Sequence, residues 1–458
     1  MCGGPPRASR THPPGPARRT HHVTSSDAAR PSVAVVGAGI SGLTAAYLLR
    51  GDHDVTLFES EPRAGGHAHT HDVDLADGSP AAVDSGFIVL NDRTYPVVNR
   101  LFAELGVRTR PTEMSMSITC DGCGLSFAGG RKLPGIFAQR RRLLDPRFLR
   151  FLLDVKRFQR TALALLEGAE AGGETGLAEH PLSYGDFLSQ EGFGDYFVAH
   201  YAMPVVSCVW SMGYEEARGY PAAYLFAFLR HHGFLSVSGS PTWHTVVGGS
   251  RTYVETILQR LRSDAGHGVE VANGVTAVAR VDGGVEVTDG SGRTRRFDKV
   301  VLATHADTSL ALLSDPTPKE KELLGAFGYS TNQTFLHRDM TTMPSVPGAR
   351  AAWNYRLDTC DATTDRTRVT YWMNRLQGHP ESSPLLVTLN PDDAPAEVIA
   401  EMTYEHPTYT AESVAAQARL GELGDGVTAF AGAYHGWGFH EDGARSGVAA
   451  AASLGVDW

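Results

Sequence analysis

The sequence predicts an α/β protein in which a doubly wound, Rossmann-like domain is interleaved with an α+β domain. Two separated segments indicate the doubly wound part. Near the start, the apolar residues 33–36 lead directly into the glycine turn 37–42 and a small-residue helix, as the strand, turn and helix of that fold do. Near the end, Phe430-Ala431-Gly432 precedes a second glycine-containing turn and a small-residue helix over 444–452.

The first turn, Gly37-Ala38-Gly39-Ile40-Ser41-Gly42, has the spacing of a phosphate-binding turn. Its glycines let the backbone approach a pyrophosphate, and the free N–H groups of the following helix point toward it. A second apolar strand, 55–58, ends in Glu59, about 20 residues after the turn, where an acid accepts hydrogen bonds from ribose hydroxyls. A solvated acid at a strand end is the alternative interpretation of Glu59. We predict that Gly37, Gly39, Ser41, Gly42 and Glu59 bind a dinucleotide.

The pattern between the two turns predicts the remaining elements in order. Residues 83–88 form a short strand, and 95–105 form an amphipathic helix that ends at Gly106. Residues 269–287 form a β-hairpin around Asp282-Gly283-Gly284, and the apolar run within 297–306 forms a buried strand that ends in a polar loop.

A chain of 458 residues exceeds the usual size of a single core, so we predict two domains. Residues 1–30 are rich in proline, glycine, arginine and histidine without an apolar run, which predicts a disordered N-terminal extension. We assign the nucleotide-binding domain to 31–106, 240–324 and 425–458. The substrate domain then comprises 107–239, which is mostly helical, and 325–424, which is mostly strand.

Two helix N-termini of this kind in one chain indicate a ligand with a phosphate end and a second electron-rich end. FAD fits that description. Gly432 and Phe439 in the second segment are further candidate contacts to the cofactor. Aromatic and histidine side chains flank the glycines there, and they are the candidate catalytic residues: Tyr434, His435, Trp437 and His440.

Charge and cysteine usage exclude other classes of function. The net charge of −10 argues against nucleic acid as a partner, because phosphate-binding surfaces carry a basic excess. The five cysteines are scattered and odd in number, which indicates a reducing, cytoplasmic location without a disulfide framework. Cys120-Asp121-Gly122-Cys123 has CxxC spacing, but no second such pair exists, so we interpret it as a hairpin turn and predict no metal site.

Taken together, these motifs resemble the flavin-containing amine oxidoreductase superfamily, and within it a bacterial group of predicted NAD/FAD-binding proteins. The resemblance covers residues 32–455. Besides the glycine turn and Glu59, it is carried by segments at 63–67, 83–87, 247–250, 300–304, 371–374 and 430–447.

The resemblance implies further contacts to a noncovalently bound FAD. Arg63, Gly65, Gly66 and His67 would contact the middle of the cofactor, and Val275 would meet the adenine through its backbone. Glu441 and the helix beyond it would lie near the ribityl chain and the pyrimidine side of the flavin. A helix N-terminus there would stabilise the negative charge that gathers on reduction. The C-terminal segment contains no cysteine for a thioether link to the flavin.

The sequence departs from the amine oxidases that it resembles. Many of them carry a lysine in the strand that corresponds to 329–337, which here contains none, and Phe439 aligns with a tyrosine of their amine-binding pair. Similar domains also occur fused to cyclopropane fatty acid synthases. We therefore expect hydride transfer between an apolar, acyl-like substrate carbon and flavin N5, as desaturation or double-bond isomerisation. The alternatives are oxidation of a secondary-metabolic amine, or a flavin-binding accessory subunit without catalysis.

Residues 131–160 concentrate positive charge, with ten basic residues against two acidic ones. From Arg147 onward, apolar residues recur at helical spacing, with Arg150, Arg157 and Arg160 near the opposite face. One interpretation is a solvated basic face over an apolar stripe that packs on the core. The other is a helix that lies on the anionic inner membrane surface.

Overall fold

Strands from distant parts of the chain assemble into one parallel sheet and one large mixed sheet. The structure is a computed structural model, and it describes residues 30–171, 176–177, 180–236, 240–361, 363 and 367–458. The predicted disorder of 1–30 falls almost wholly outside these residues. The strands of the described residues are β1 (Ser32–Val36), β2 (Asp54–Phe58), β3 (Thr70–Asp74), β4 (Pro80–Asp84), β5 (Leu90–Asn91), β6 (Thr109–Pro111), β7 (Met116–Cys120), β8 (Leu125–Gly129), β9 (Trp243–Val246), β10 (Gly268–Glu270), β11 (Val275–Val281), β12 (Gly284–Asp289), β13 (Thr294–Phe297), β14 (Lys299–Leu302), β15 (Gly328–His337), β16 (Trp353–Leu357), β17 (Val369–Trp372), β18 (Leu386–Leu389), β19 (Val398–Thr408) and β20 (Thr428–Phe430).

Helices connect these strands and cover their faces. Several begin at a proline, whose fixed φ suits the first turn of a helix. The α-helices of the described residues are α1 (Ile40–Leu49), α2 (Pro96–Leu105), α3 (Lys132–Ile136), α4 (Pro146–Glu170), α5 (Tyr184–Gln190), α6 (Asp195–Phe197), α7 (Met203–Trp210), α8 (Tyr214–Gly219), α9 (Ala222–His231), α10 (Arg251–Ser263), α11 (Ala306–Leu312), α12 (Pro318–Leu324), α13 (Met373–Leu376), α14 (Ala411–Gln417) and α15 (His440–Ser453).

The parallel sheet has the strand order β10-β2-β1-β14-β20. Its core strands are apolar on both faces, as a sheet covered by helices on both sides requires. The strands come from all three segments that were predicted to form the nucleotide-binding domain, and the predicted fold class is confirmed. The exact domain boundaries stay a prediction.

Helices α1 and α15 pack side by side, and each begins at the carboxyl edge of this sheet. Small residues make the close approach possible, because a Cβ on Gly447 would overlap the carbonyl oxygen of Ser41, and a Cβ on Gly443 would lie 2.7 Å from the Ile40 side chain. Helix α1 follows β1, and α15 follows β20 after a short turn. The two predicted helix N-termini are therefore neighbours.

Two of the predicted strands have different limits in the structure. The hairpin β11–β12 exists, but Val269 belongs to β10, which pairs in parallel with β2. The strand predicted over 83–88 is β4, and it ends at Asp84. Residues 85–89 leave it because Gly86 packs directly on the His67 backbone, and Phe87 and Ile88 then line a cavity.

A mixed sheet of order β19-β15-β18-β17-β16-β7-β8 forms the other half of the fold, together with the helices between 146 and 231. Its core is strongly aromatic. Phe158 of α4 lies about 6 Å, centroid to centroid, from Tyr184 and Phe226 on neighbouring helices. The CxxC segment forms the tight turn between β7 and β8, as predicted.

Helix α4 packs its apolar stripe on this core through residues that include Phe148, Phe151 and Phe158, so that part of the first interpretation is confirmed. A second set of apolar side chains points outward. Among the described residues, six large apolar side chains are exposed, and five of them fall within 131–160: Leu133, Leu143, Leu144, Leu149 and Leu153. Among the described residues, no helix is both long enough and apolar enough to cross a membrane.

Candidate active site

One cavity of about 660 Å³ lies where the parallel sheet meets the mixed sheet. Residues from both sheets line it: Val36 and Phe58 end strands of the parallel sheet, and Tyr371 and Leu389 belong to the mixed sheet. Ligands of open α/β sheets bind outside the carboxyl ends of the strands, and this cavity has that position.

The first glycine turn forms one wall of the cavity. Gly37 has φ +99, and a Cβ there would lie 2.7 Å from the Ala303 carbonyl oxygen. Gly39 and Ser41 also line the cavity, and no described heavy atom lies within 4 Å of a Cβ built on Gly39, so the turn is open on that side. Gly42 is not among the lining residues, because it packs against the Gly37 carbonyl behind the turn.

Glu59 lies at the same end of the cavity and is buried. Its Oε2 accepts a hydrogen bond of 2.9 Å from the Ala38 N–H, and its Oε1 accepts one of 2.9 Å from the Glu61 N–H. The Ser60 hydroxyl also donates to Oε1, over 3.3 Å, so of the carboxylate's about four lone-pair sites one on Oε2 remains for a ribose hydroxyl. The side chain is thus held in place before any ligand contact is made.

The segment after the second strand divides into a supporting part and a lining part. Gly66 and His67 line the cavity, and His67 Nε2 is buried without a protein partner. Gly65 donates to the Ala38 carbonyl over 2.8 Å, and the Arg63 Nη1 donates to the Ala68 carbonyl over 3.4 Å. Gly65 and Arg63 do not line the cavity, although they were predicted to contact the cofactor. They hold the loop in place through these hydrogen bonds. Val275, the predicted adenine contact, does line the cavity.

The C-terminal segment contributes the opposite wall. Gly432, Tyr434, Trp437 and Phe439 line the cavity, and the buried indole Nε1 of Trp437 has no hydrogen-bond partner in the described protein. His435 was predicted beside them, but it is not among the lining residues. Its ring packs against Tyr434, and burial lowers its pKa to about 4.

Glu441 performs a task that the sequence analysis did not predict. Its two carboxylate oxygens accept hydrogen bonds of 2.9 and 3.0 Å from the N–H groups of Val97 and Val98, at the start of α2. These N–H groups have no partner within their own helix, and the positive end of the helix attracts an anion. Glu441 therefore caps α2 and is not among the residues that line the cavity. Burial raises its pKa to about 7.

His440 is the first residue of α15, and two neighbours fix its imidazole ring. Its Nε2 lies 2.9 Å from the hydroxyl of Tyr253, and its ring stacks on Phe87 with centroids 3.7 Å apart. Burial lowers the pKa of His440 to about 3. The cavity wall there is a neutral imidazole at neutral pH.

A polar network on β19 was missed by the sequence analysis. The Tyr404 hydroxyl lies 2.6 Å from Ser85 Oγ and 3.0 Å from His69 Nδ1, and its ring stacks on His67. Two residues on, His406 lines the cavity beside His67. The alternating burial of β19 places Tyr404 and His406 toward the interior, and that alternation in residues 400–408 was the available signal.

Asn332 occupies the strand in which amine oxidases carry their lysine. It is buried, and its amide nitrogen lies 3.1 Å from His406 Nδ1. Through this contact Asn332 supports the imidazole of His406, which lines the cavity. Burial lowers the pKa of His406 to about 4, so this ring is also neutral at neutral pH.

The residues present fit FAD. The glycine turn leaves an open cradle, Glu59 stands ready for a ribose, and His67 Nε2 and Trp437 Nε1 are buried polar atoms that lack protein partners and lie on residues lining the cavity. The fold and this site together define a flavoprotein oxidoreductase with FAD as its cofactor.

Comparison with known proteins agrees with this class. The profile of the family described as flavin containing amine oxidoreductase matches residues 40–397. The chain belongs to that family, and the resemblance stated above is confirmed.

Individual relatives differ in what they act on. Over 162 residues the chain is 35% identical to the carotenoid phi-ring synthase of Streptomyces griseus. The matched region covers 34% of this chain and 29% of that enzyme. Over 311 residues it is 26% identical to the coproporphyrinogen III oxidase of Mycobacterium tuberculosis, covering 63% of this chain and 62% of the relative. The chain thus matches less than two thirds of the length of either relative.

Solved structures share the fold. The CLA-producing fatty acid isomerase from P. acnes superposes with a TM-score of 0.65 at 18% identity, covering 91% of this chain and 97% of that one. The cyclohexylamine oxidase from Brevibacterium oxydans gives 0.64 at 16% identity, covering 93% and 98%. At these identities the likeness shows the fold alone.

Proposed function

We propose that this protein moves hydride between an apolar, acyl-like substrate carbon and the flavin, as a desaturase or a double-bond isomerase. The observation that carries the proposal is the lining of the cavity away from the glycine turn. That region is aromatic and aliphatic, and it includes Met114, Val209, Trp210, Phe228, Phe234, Trp243, Trp353, Tyr371 and Leu389.

The described carboxylates that line the cavity either lie beside the glycine turn or face a histidine. Glu59 and Glu61 flank the glycine turn, and Glu405 faces His305 at 3.4 Å. The lining contains no described lysine or arginine. A long apolar chain that enters such a region buries no lysine or arginine of the lining. Burial of the chain itself contributes about 25 cal/mol per Å² of apolar surface.

Phe439 supports the same choice of substrate. Its ring stacks on Phe228 with centroids 4.9 Å apart, at the position where amine oxidases offer a tyrosine. A phenyl ring there extends the apolar wall toward Trp210, 6.1 Å away, and offers no hydroxyl to an amine. Among solved structures of this fold, a fatty acid isomerase supports the acyl choice, and a cyclohexylamine oxidase supports the alternative.

The protein's own side chains would position the substrate and keep charged groups away from it. Bound FAD would accept hydride and return it. His67, His406 and His440 stay neutral because burial lowers the pKa of each, so none places a cation beside the substrate chain. Tyr404, held by Ser85 and His69, is the candidate hydroxyl for holding a polar substrate end.

Anaerobic mixing tests the proposal. The purified flavoprotein is mixed with unsaturated fatty acids and their esters, and separately with primary amines, while flavin absorbance and lipid double-bond position are followed. Acyl substrates should bleach the flavin, or shift a double bond without net bleaching. Bleaching by amines alone would favour the amine oxidase. Neither change, in protein that dithionite still reduces, would favour the accessory subunit.

We also propose that residues 131–160 contact an anionic membrane surface, from which an acyl substrate would be supplied. The exposed leucines, Leu149 and Leu153 among them, lie on the same helix as exposed basic residues such as Arg150, Lys156 and Arg160. Apolar side chains that insert between lipids and cations that meet phosphate groups are the two parts of such a contact. Arg157 is excluded from it, because its guanidinium packs on Phe193 and donates to the Glu191 carbonyl.

A further inference from the structure

We propose that Cys120, Cys123, His200 and Cys360 bind one zinc ion that fastens the substrate half of the fold. Their ligand atoms all lie within 4.8 Å of one another. The two sulfurs of Cys120 and Cys360 are 3.9 Å apart, and Cys123 Sγ lies 3.5 Å from His200 Nε2. Zinc bonds of about 2.3 Å to sulfur and 2.0 Å to nitrogen give tetrahedral edges of about 3.5–3.8 Å, so the cluster is close to the required size.

The Cys120–Cys123 turn presents its sulfurs as a metal-binding turn does. The N–H of Cys123 bonds to the Cys120 sulfur, and the N–H of Leu125 bonds to the Cys123 sulfur. Such N–H groups hold the two sulfurs on one side of the turn. A hairpin turn and a metal-binding turn are therefore compatible interpretations of the same four residues.

Gly122 brings the third cysteine within reach. A Cβ on Gly122 would lie 2.9 Å from the Thr359 Cα, so only glycine lets the turn pack against the chain that carries Cys360. Strand β16 also pairs in parallel with β7, with Leu357 opposite Cys120. The sheet thus places Cys360 three residues beyond the strand end that faces Cys120.

His200 is arranged as a metal ligand. It is fully buried, within the π-helical turn Val198–Ala202, and its Nδ1 lies 2.8 Å from the Tyr196 carbonyl oxygen. Since a carbonyl only accepts, Nδ1 carries the hydrogen, and Nε2 directs its lone pair toward Cys123. An imidazole whose second nitrogen donates to a backbone carbonyl is the usual form of a zinc-bound histidine. Single π-helical turns are frequent at functional sites.

The surroundings suit the charge of a zinc ion with three thiolates, which is −1. Arg142 donates to the Cys123 carbonyl over 3.2 Å, and Arg147 acts electrostatically on Cys360. Four protein ligands leave no open position, and none of the four described residues lines the cavity, so this would be a structural site. It would join the β7–β8 turn, the helical segment at 198–202 and the loop after β16.

This proposal departs from the sequence prediction of no metal site. The sequence showed one CxxC pair, while the other two ligands lie 77 residues from Cys123 in one case and 240 residues from Cys120 in the other. Only the tertiary fold brings them together.

Metal analysis of the purified holoprotein tests the site. We expect about one zinc per chain, and growth with cobalt should give ligand-field absorption in the red, beyond the flavin bands. Cys360→Ser, Cys123→Ser and His200→Ala should each lower zinc content severalfold while FAD stays bound. Cys208→Ala is the matched control, since Cys208 is buried outside the cluster, and it should keep its zinc.

Three results would overturn the proposal. One is metal-free protein in which alkylation finds all four described thiols free. Another is a disulfide between two of the three cluster cysteines in protein purified under reducing conditions. The third is zinc that persists in the Cys360→Ser and His200→Ala variants. Cys360 is exposed, so its variant should fold, and the flavin spectrum reports whether it has.

Discussion

Glu59 shows at the scale of one residue how the nucleotide site is prepared. Its carboxylate accepts from two backbone N–H groups, one in the glycine turn and one just beyond its own strand. The same side chain therefore shapes the loop and is placed to receive the ribose. Because Glu59 has both roles, we expect even a conservative replacement of it to weaken FAD binding.

Replacing Glu59 with alanine should weaken FAD binding by roughly 10- to 150-fold, because a buried, charge-assisted hydrogen bond contributes about 1.5–3 kcal/mol. Fluorescence titration of the apoprotein with FAD measures the change. Glu255→Ala is the control, since Glu255 is exposed on α10 away from the cavity. Equal FAD affinity in the two variants would remove Glu59 from the site.

At the scale of elements, the contact between α1 and α15 decides whether two helix N-termini can serve one ligand. Gly447 has no room for a side chain, because a Cβ would overlap the Ser41 carbonyl. Gly168, on α4, has no described atom within 4 Å of its Cβ position. These two helical glycines give a matched pair.

Gly447→Ala should destabilise the protein by about 1–3 kcal/mol and loosen FAD, because overpacking separates the helices. Gly168→Ala should be neutral, or stabilise by about 0.5–1 kcal/mol, because alanine favours helix. Denaturant unfolding of both variants measures the difference. If Gly447→Ala were as stable as Gly168→Ala, the close packing of α1 and α15 would not be required.

The proposed membrane contact also belongs to the scale of elements. Leu149 is 42% exposed and Leu153 is 67% exposed, one helical turn apart on α4. The double variant Leu149→Gln/Leu153→Gln should keep its stability and lose most of its sedimentation with phosphatidylglycerol-containing vesicles. Arg150→Glu/Arg160→Glu should lose it as well, and binding by the unaltered protein should fall as salt rises.

Val398→Gln supplies the control, because Val398 is the exposed large apolar side chain of the described residues that lies outside 131–160. It should bind vesicles like the unaltered protein. No sedimentation at low salt, or equal sedimentation of all the variants, would leave this surface as an ordinary solvated face.

For the whole molecule, the sequence predicted what local patterns determine. The strand, glycine turn and helix at 32–49 follow from periodicity and from glycine spacing, and so does the position of Glu59 after the second strand, where it lines the cavity. The task of Glu441 was missed, because it depends on where α2 begins in space, 344 residues away from it. The cluster around Cys123 and the network on Tyr404 were missed for the same reason, since their partners come from separate segments.

Many buried histidines make the whole molecule sensitive to acid. Burial lowers the pKa of His232 and His337 to about 4 and that of His440 to about 3, and all three are buried. In the unfolded chain a histidine has a pKa near 6.5, so between pH 6.5 and 4 the unfolded state binds more protons. Stability is therefore lost as pH falls through this window.

Three buried acids act in the opposite direction. Burial raises the pKa of Glu441 to about 7 and that of Asp442 to about 6, and it also raises the pKa of Asp84, so their contribution is largest at low pH and is lost as pH rises. The histidines with lowered pKa outnumber these three acids, and they include His69, His71, His406 and His435. The net effect should be loss of stability on acidification.

We expect the free energy of unfolding, measured with urea and excess FAD, to fall by several kcal/mol between pH 7.5 and 5.5. Each fully buried neutral histidine costs about 1.4 kcal/mol at one pH unit below its unfolded pKa. His337→Gln should reduce the pH dependence by about that amount, since His337 is fully buried and lies outside the cavity lining. Unfolding free energy that stayed constant or rose at pH 5.5 would mean that these imidazoles are charged, and hydrated, in the folded protein.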